Sequence, residues 1–204
     1  MDFYEKVKGL LMEPSMTFDA LKEEPLEGAI KYYVSIAAVY SAIFALMLGF
    51  AGSFFGSMMG FGNLGMMMGA GAGISAAIIF FIMFMIIAIA GAFIGGAILH
   101  IFVYIVGGRK GMVQTIKAGM YGSTASLLFG WVPIINIIAA IWSLVTQVIG
   151  IRQLQDITTG RAVLALVLPM IIAFILAMVL AAFFLIAFGT TAFHTTESGV
   201  NPFP

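Results

Sequence analysis

Charged residues and long apolar segments alternate along the chain. No Asp, Glu, Lys or Arg occurs between Lys31 and Arg109, and none occurs between Arg161 and Glu197. An α-helix of about 20 apolar residues crosses the hydrocarbon core of a bilayer, so charge-free segments of this length are typical of membrane spans. The pattern therefore predicts an all-α integral membrane protein that crosses the bilayer several times.

Two of the apolar segments each predict a single span. Residues 29–52 carry Tyr32 and Tyr33 near their start, at the depth where aromatic side chains meet the lipid headgroups. Residues 162–188 contain Pro169, which predicts a kink in a continuing helix rather than its end.

The other two apolar segments are less regular. Residues 74–106 would form a helix of about 50 Å, too long for one upright span and too short for two, and we assign them one crossing. Residues 118–151 contain Pro133 near their middle, which predicts a hairpin with arms 118–132 and 134–151. Both arms are shorter than a usual span, so the sequence fits two crossings of a thinned bilayer and also fits a re-entrant pair.

The basic residues indicate how many times the chain crosses. With five crossings, all nine fall on one side of the membrane: Lys6, Lys8, Lys22, Lys31, Arg109, Lys110, Lys117, Arg152 and Arg161. By the positive-inside rule this side is the cytoplasm. The sequence thus predicts a polytopic five-helix transmembrane bundle with a cytoplasmic N-terminus and an external C-terminus. In this prediction, residues 1–28 form a cytoplasmic amphipathic segment, residues 29–188 form the membrane domain, and residues 189–204 form a flexible extracytoplasmic tail.

The sequence of the cytoplasmic segment predicts two short helices divided by Pro14. Asp2 and Glu5 form a capping pair for the first helix, and Ser15 or Thr17 is a candidate cap for the second. The apolar face of this segment can lie on the inner leaflet, bind a protein partner or pack on the protein's own spans, and the sequence leaves these alternatives open. It consists of Phe3, Val7, Leu10, Leu11, Phe18 and Leu21.

The composition argues against catalysis. The chain is 62% hydrophobic and 9% charged, with no cysteine and two histidines, and its predicted spans contain no acidic residue. Membrane enzymes that cleave or modify their substrates use buried acids, metal ligands or activated nucleophiles. We therefore expect no enzymatic activity, no cofactor and no metal. A net charge of zero likewise argues against a nucleic-acid partner.

Two groups of polar side chains belong to the predicted spans. Asn136, Ser143 and Gln147 share one face of the fourth span, and such a stripe either holds helices together or lines a path for a small solute or ion. His100 and Tyr104 share a face at the cytoplasmic end of the second span, as an interfacial pair or as a proton relay. We predict helix packing for the stripe and an interfacial position for the pair, with path-lining as the alternative for both.

Glycine and methionine dominate residues 53–73, which the charge distribution places outside, between the first two spans. Glycines at four-residue spacing suit close helix packing and contact between copies of the chain. Methionine thioethers also bind Cu(I), but neither His nor Cys accompanies them here. We therefore interpret the methionines as adaptable apolar contacts.

Three stretches carry a family resemblance: FYEKVKGLLMEPSMTFDALKEE, GGRKGMVQTIKAGMYGSTASLLFGWVP and IWSLVTQVIGIRQLQDITTGRAVLALVLP. Their more specific elements are the Gly-rich basic turn that leads to Tyr121 and Pro133, and the run Trp142, Gly150, Thr159, Gly160, Arg161 and Ala162. In this order they resemble the Yip (Ypt-interacting protein) domain family, in its prokaryotic branch. The resemblance implies five spans and a cytoplasmic N-terminus.

Eukaryotic members of that family are membrane-trafficking factors that contact Rab-type GTPases. This chain has a short N-terminal region and no DLxGP-like motif, so we do not expect Rab binding. The resemblance implies a multi-pass protein in contact with the lipid bilayer, located in the cell membrane if the source is prokaryotic. We predict a non-enzymatic, membrane-organising or partner-binding scaffold, with a small-solute or ion channel or transporter as the alternative.

Overall fold

The structure of the protein, a computed structural model, describes residues 1–58 and 73–197, with side chains described over 1–47, 74–75 and 77–186. This part of the chain forms eight α-helices joined by turns. In chain order they are α1 (Phe3–Met12), α2 (Pro14–Ala20), α3 (Leu26–Met58), α4 (Gly73–Ile105), α5 (Met112–Gly122), α6 (Thr124–Phe129), α7 (Ile135–Gln155) and α8 (Thr159–Glu197).

Four helices in the described residues are long and apolar enough to cross a membrane. The qualifying segments belong to α3, α4, α7 and α8, and are Leu26–Met47, Ala77–Ile105, Ile135–Gln155 and Thr159–Ile186. The prediction of an all-α, multi-pass membrane protein is therefore confirmed. The remaining predicted crossing, 118–132, has a different local structure.

Residues 118–132 are divided between α5 and α6. The break lies at Ser123, whose hydroxyl donates to the carbonyl of Met120 at 2.9 Å, while the Thr124 hydroxyl donates to the carbonyl of Tyr121 at 2.6 Å. Side chains that bind helix carbonyls compete with the backbone and bend a helix. Two short pieces therefore take the place of one straight arm.

Together α5 and α6 run antiparallel to α7, as the two arms of a hairpin. Gly122 packs against Gln147, and further along the arms the Ser126 and Ser143 hydroxyls are 2.9 Å apart. The connection between the arms contains Pro133. The 21 residues of α7 correspond to about 32 Å, close to the hydrocarbon thickness of about 30 Å. This arm is long enough to cross an ordinary bilayer.

The capping pair of α1 is confirmed. Asp2 Oδ1 accepts the N–H of Glu5 at 2.7 Å, and Glu5 Oε2 accepts the N–H of Asp2 at 3.0 Å. The prediction that Ser15 or Thr17 caps α2 is wrong, because α2 begins at Pro14 with no side-chain cap. Proline suits this first position since its nitrogen has no hydrogen to satisfy.

The last helix is longer than its predicted span. It continues through Pro169, as expected, and ends at Glu197. The helix thus occupies part of 189–204, the segment predicted as a flexible tail. No proline lies between Pro169 and Pro202, and each residue added to a helix contributes one backbone hydrogen bond. Within the Gly- and Met-rich stretch, residues 59–72 lie outside the described residues, so its interpretation stays a prediction.

Buried side chains concentrate where α1 and α2 meet the longer helices. Along α4 and α8, by contrast, only 11% of the most apolar stretch is buried. Lipid is as apolar as these side chains, so packing them against one another in a bilayer brings little hydrophobic free energy. The main buried cluster draws on both N-terminal helices, on α3, α4, α5 and α7, and on the start of α8, and includes Leu10, Phe18, Leu21, Tyr32, Ile36, Val103, Ile116, Met120, Tyr121, Ile151, Leu154, Ala162 and Ala165.

Two glycines of α5 provide a matched test of its packing on α7. A Cβ at Gly122 would stand 2.9 Å from the Gln147 Cα, whereas a Cβ at Gly119 would meet nothing within 4 Å. We expect Gly122→Ala to lower the free energy of unfolding by about 1–3 kcal/mol through overpacking. Gly119→Ala should leave it unchanged or raise it slightly, since alanine is the better helix former. Thermal unfolding in detergent measures both, and equal effects would contradict close contact at Gly122.

Candidate functional site

Polar side chains join the N-terminal helices to the base of the bundle. Lys6 on α1 forms an ion pair with Glu24, and the other carboxylate oxygen of Glu24 accepts a hydrogen bond from the Tyr121 hydroxyl at 2.9 Å. The Lys6 and Glu24 side chains are only 11% and 20% exposed, and Lys6 Nζ lies 5.9 Å from the centre of the Tyr121 ring. We call these three residues and Lys117 the docking cluster.

Lys117 on α5 is buried, with 1% of its surface exposed. Its ammonium donates to the backbone carbonyls of Lys22 at 3.0 Å and Glu24 at 2.6 Å, both in the turn between α2 and α3. The ammonium therefore holds the turn onto α5 by satisfying two of its carbonyls.

Aromatic rings pack around the docking cluster. Tyr121 lies between Phe18 and Tyr32, with ring centres 6.3 and 5.2 Å away, and the Tyr32 and Thr124 hydroxyls are 2.9 Å apart. The Phe18 ring rests on Gly150 of α7, where a Cβ would stand 2.6 Å from the ring. These contacts bring α2, α3, α5 and α7 together at one point.

A second polar network joins α4, α5 and α7. The Gln155 amide nitrogen donates to the Gly111 carbonyl at 2.9 Å and to the Thr115 hydroxyl at 3.0 Å, and its oxygen accepts the backbone N–H of Lys110 at 3.0 Å. The Thr115 hydroxyl also bonds with Nδ1 of His100 at 2.8 Å. One side chain thus fixes the turn before α5 against the end of α7.

Asp156 follows α7 and ties together segments that are distant in sequence. Its φ of 52° lies in the left-handed region, which Asp tolerates better than most residues. Its carboxylate pairs with Lys22 and, at 2.9 Å, with Lys110. Hydrogen bonds from Lys22 and then Lys110 lower the pKa of Asp156, and the same carboxylate raises the pKa of Lys22. Since the Asp156 side chain is 44% exposed, water screens both pairs and each adds little stability.

The predicted apolar face of the N-terminal helices points into the protein. Leu10, Phe18 and Leu21 are at most 2% exposed. Phe3 is 48% exposed, and its ring lies 5.4 Å from that of Tyr32. Of the alternatives that the sequence leaves open, this arrangement corresponds to packing on the protein's own spans. The remaining members of the face are partly buried, and are Val7 and Leu11.

A different surface of α1 and α2 is open. Met1, Tyr4, Met12 and Met16 are 55%, 71%, 73% and 70% exposed, and we call them the methionine face. A groove of about 310 Å³ between the two helices is lined in part by Met1, Met12 and Met16. These side chains are more exposed than those of the predicted apolar face, of which Phe3 at 48% is the most exposed.

The three residues of the predicted polar stripe have separate surroundings. Ser143 is 3% exposed and bonds with Ser126, and the Asn136 amide donates to the Gly130 carbonyl at 3.1 Å. Gln147 lines a groove of about 390 Å³ between α4, α5, α7 and α8. Two of the stripe residues thus bond within the hairpin, and the third borders an open groove.

His100 and Tyr104 also have separate partners. His100 bonds with Thr115 on α5, whereas Tyr104 is 56% exposed and its ring centre lies 3.8 Å from the guanidinium carbon of Arg109. The roles assigned to these two residues from the sequence stay predictions.

Sequence reasoning does not identify the docking cluster. Lys6 and Glu24 have charged neighbours in sequence and look like ordinary solvated residues. Lys117 carries a usable signal, because it is a single cation between Ile116 and Ala118 in a helix that is otherwise uncharged. A lysine in such a setting is rarely buried without partners, so its position indicates a fixed set of acceptors.

The geometry suits the joining of helices more than a reaction. The donors and acceptors of the docking cluster bond to one another and to backbone carbonyls. Within residues 1–58 and 73–197, no group of three or more His, Cys, Asp or Glu side chains is placed to hold a metal ion. What these contacts do is hold the N-terminal helices against the ends of the membrane helices.

The family model for the Yip1 domain matches residues 8–195 of the chain. The match starts within α1 and ends within α8, so it covers both the N-terminal helices and the membrane helices. No curated protein and no solved structure matches the chain.

Two glutamates near the start of α3 test the docking cluster. Glu24→Gln leaves the Lys6 ammonium without its counter-charge in a largely buried place, and we expect it to lower the free energy of unfolding by about 3 kcal/mol. Glu27→Gln removes a similar pair with Lys31, but those side chains are 74% and 75% exposed, so water screens the pair and the cost should be much smaller than for Glu24→Gln. Chemical unfolding in detergent compares the variants. A cost for Glu27→Gln as large as that for Glu24→Gln would contradict the special role of the cluster.

Proposed function

The chain belongs to the Yip1 domain family of membrane proteins, and from this membership we propose that it is a prokaryotic-type member that acts as a non-catalytic scaffold. In this proposal the protein binds a protein partner through the cytoplasmic surface of α1 and α2. Its place is the cell membrane, where the longer helices contact lipid.

The methionine face is the observation that carries this proposal. The docking cluster fixes α1 and α2 on the bundle, so the exposed Tyr4, Met12 and Met16 form a surface of defined position. Methionine side chains are flexible and polarisable, and they are favoured where a surface adapts to a partner helix or strand. A fixed base with an adaptable contact surface is what a scaffold requires.

We further propose that the chain crosses the bilayer five times, with α5 and α6 together as the third crossing. Contacts among basic segments support this topology: Lys117 reaches the carbonyl of Lys22, and Lys22 and Lys110 share Asp156. These segments therefore lie at one end of the bundle, which the positive-inside rule assigns to the cytoplasm. Because α7 starts at the far end, α5 and α6 must carry the chain there.

The channel or transporter alternative has less support. A solute path along α7 would need the polar stripe to face one open space, but the Ser143 hydroxyl bonds with Ser126 and Asn136 bonds with the turn of the hairpin. Gln147 alone of the three borders the larger groove. We therefore retain the scaffold as the proposed function.

Reporter fusions test the proposed topology. Reporters placed after Lys110 and Gln155 should read as cytoplasmic, and reporters after Ala51 and Phe193 should read as external. The physical reason is that the basic ends of the helices stay on the cytoplasmic side during insertion. Activity of a cytoplasmic reporter after Phe193 would contradict an odd number of crossings.

Site-specific photocrosslinking tests the partner surface. A photoreactive residue at Met16 should yield a discrete protein adduct, because this position is 70% exposed on the methionine face. Met170, which is 50% exposed within the span of α8, serves as the matched position and should yield lipid adducts. Adding Met12→Glu should reduce the Met16 adduct several-fold, since a charge on an apolar contact must be desolvated. If Met16 gives lipid adducts alone, the segment lies on the inner leaflet and the partner proposal fails.

A further inference from the structure

Two arginine side chains reach the same turn from different helices. Arg109 follows α4, and its Nη1 donates to the Gly108 carbonyl at 2.9 Å. Arg161 belongs to the first turn of α8, and its Nη1 would stand 3.2 Å from a Cβ at Gly107. With a φ of +105°, Gly107 adopts a conformation that suits glycine, and the missing side chain leaves room for the guanidinium. Arg109 and Arg161 therefore flank the Gly107–Gly108 turn, and we call them the arginine pair.

Acidic side chains do not neutralise this pair within the described residues. The carboxylate ion pairs of that part of the chain involve Lys6, Lys22, Lys31 and Lys110. Asp156, the acid nearest to Arg161 in sequence, is shared by two of those lysines. Both arginines are exposed. Two guanidinium groups thus present positive charge at one place on the surface.

The surrounding side chains place the arginine pair at the edge of the bilayer. On α4, Tyr104 and Ile105 are 56% and 65% exposed, and on α8 Leu164 is 57% exposed. The candidate spans end at Ile105 and begin at Thr159, next to the two arginines. Exposed aromatic and basic residues at the ends of spans are typical of the lipid headgroup region. The arginine pair therefore faces headgroups, with apolar helix surface directly beside it.

The Arg109 guanidinium is held in one position by its neighbours, as is typical of a ligand-binding group. The guanidinium carbon of Arg109 lies 3.8 Å from the centre of the Tyr104 ring, and Nη1 of the same group donates to the backbone carbonyls of Tyr104 and Gly108. Stacking of this kind fixes the planar group while leaving further N–H donors free. Arginine forks bind phosphate oxygens in pairs, and basic sites between transmembrane helices bind anionic headgroups.

We propose that the arginine pair binds the phosphate of an anionic phospholipid in the cytoplasmic leaflet. The lipid chains would then lie along the exposed apolar side chains of α4 and α8. A lipid fits this site better than a free phosphate ion because the adjoining surface is apolar and faces the bilayer. The choice of leaflet rests on the proposed topology. Lipid binding itself is independent of the methionine face, so failure of either binding proposal leaves the other unaffected.

Native mass spectrometry of the full-length protein in detergent tests this proposal. Wild-type protein is titrated with phosphatidylglycerol and with phosphatidylcholine, which differ in headgroup charge. We expect phosphatidylglycerol to bind more tightly, and Arg109→Gln with Arg161→Gln to weaken its binding about 25-fold, at about fivefold for each basic residue at the membrane surface. The matched control is Lys31→Gln, whose side chain is 75% exposed and paired with Glu27, and it should change binding less than twofold.

Four outcomes would overturn the proposal. The first is equal binding of the two lipids by the wild type. The second is phosphatidylglycerol binding by the double variant that stays within twofold of the wild type. A loss in Lys31→Gln as large as that in the double variant would show general surface attraction instead. Displacement of the lipid by excess inorganic phosphate would identify a free-anion site, which also contradicts a lipid site. Thermal unfolding of each variant confirms that the fold is retained.

Discussion

The hydrogen bonds of the buried Lys117 ammonium are the interaction on which the packing of the N-terminal helices against the longer helices depends. The ammonium replaces the water that would otherwise solvate the carbonyls of Lys22 and Glu24, and those carbonyls belong to the turn that connects α2 to α3. A lysine that loses water must regain hydrogen bonds elsewhere, so the turn and α5 are bound to a fixed relative position. The Glu24 carboxylate then orients Lys6 and Tyr121, which extends the same constraint to α1.

The location of the buried core follows from the two solvents that the chain meets. In water, apolar side chains gain free energy when they are removed from contact with the solvent, so the N-terminal helices bury Leu10 and Phe18. In lipid that gain is missing, and α4 and α8 leave most of their apolar surface exposed. Within the hairpin of α5, α6 and α7, a small residue and a hydroxyl pair provide the contacts instead: Gly122 packs on α7, and Ser126 bonds with Ser143.

Patterns that depend on one segment at a time are readable from the sequence. Charge-free runs predict the four long helices, Pro133 predicts the turn of the hairpin, and Asp2 with Glu5 predicts the start of α1. Tertiary features are not readable in this way. The direction of the N-terminal apolar face depends on a surface built by Tyr32, Tyr121 and Gly150, which are far apart in sequence. The break at Ser123 depends on side-chain bonds that compete with the helix, and the arginine pair depends on how the ends of α4 and α8 meet.

The arrangement of contacts also constrains how the protein can respond to a partner. A partner that moved α1 and α2 away from the bundle would have to expose the Phe18 ring and leave Lys117 without its two carbonyls. Breaking buried polar contacts of this kind costs several kcal/mol, and a partner that binds the methionine face does not replace those contacts. Binding at that surface should therefore leave the helices in place. In this structure the N-terminal segment packs against the longer helices through Phe18 and through the carbonyls that Lys117 binds.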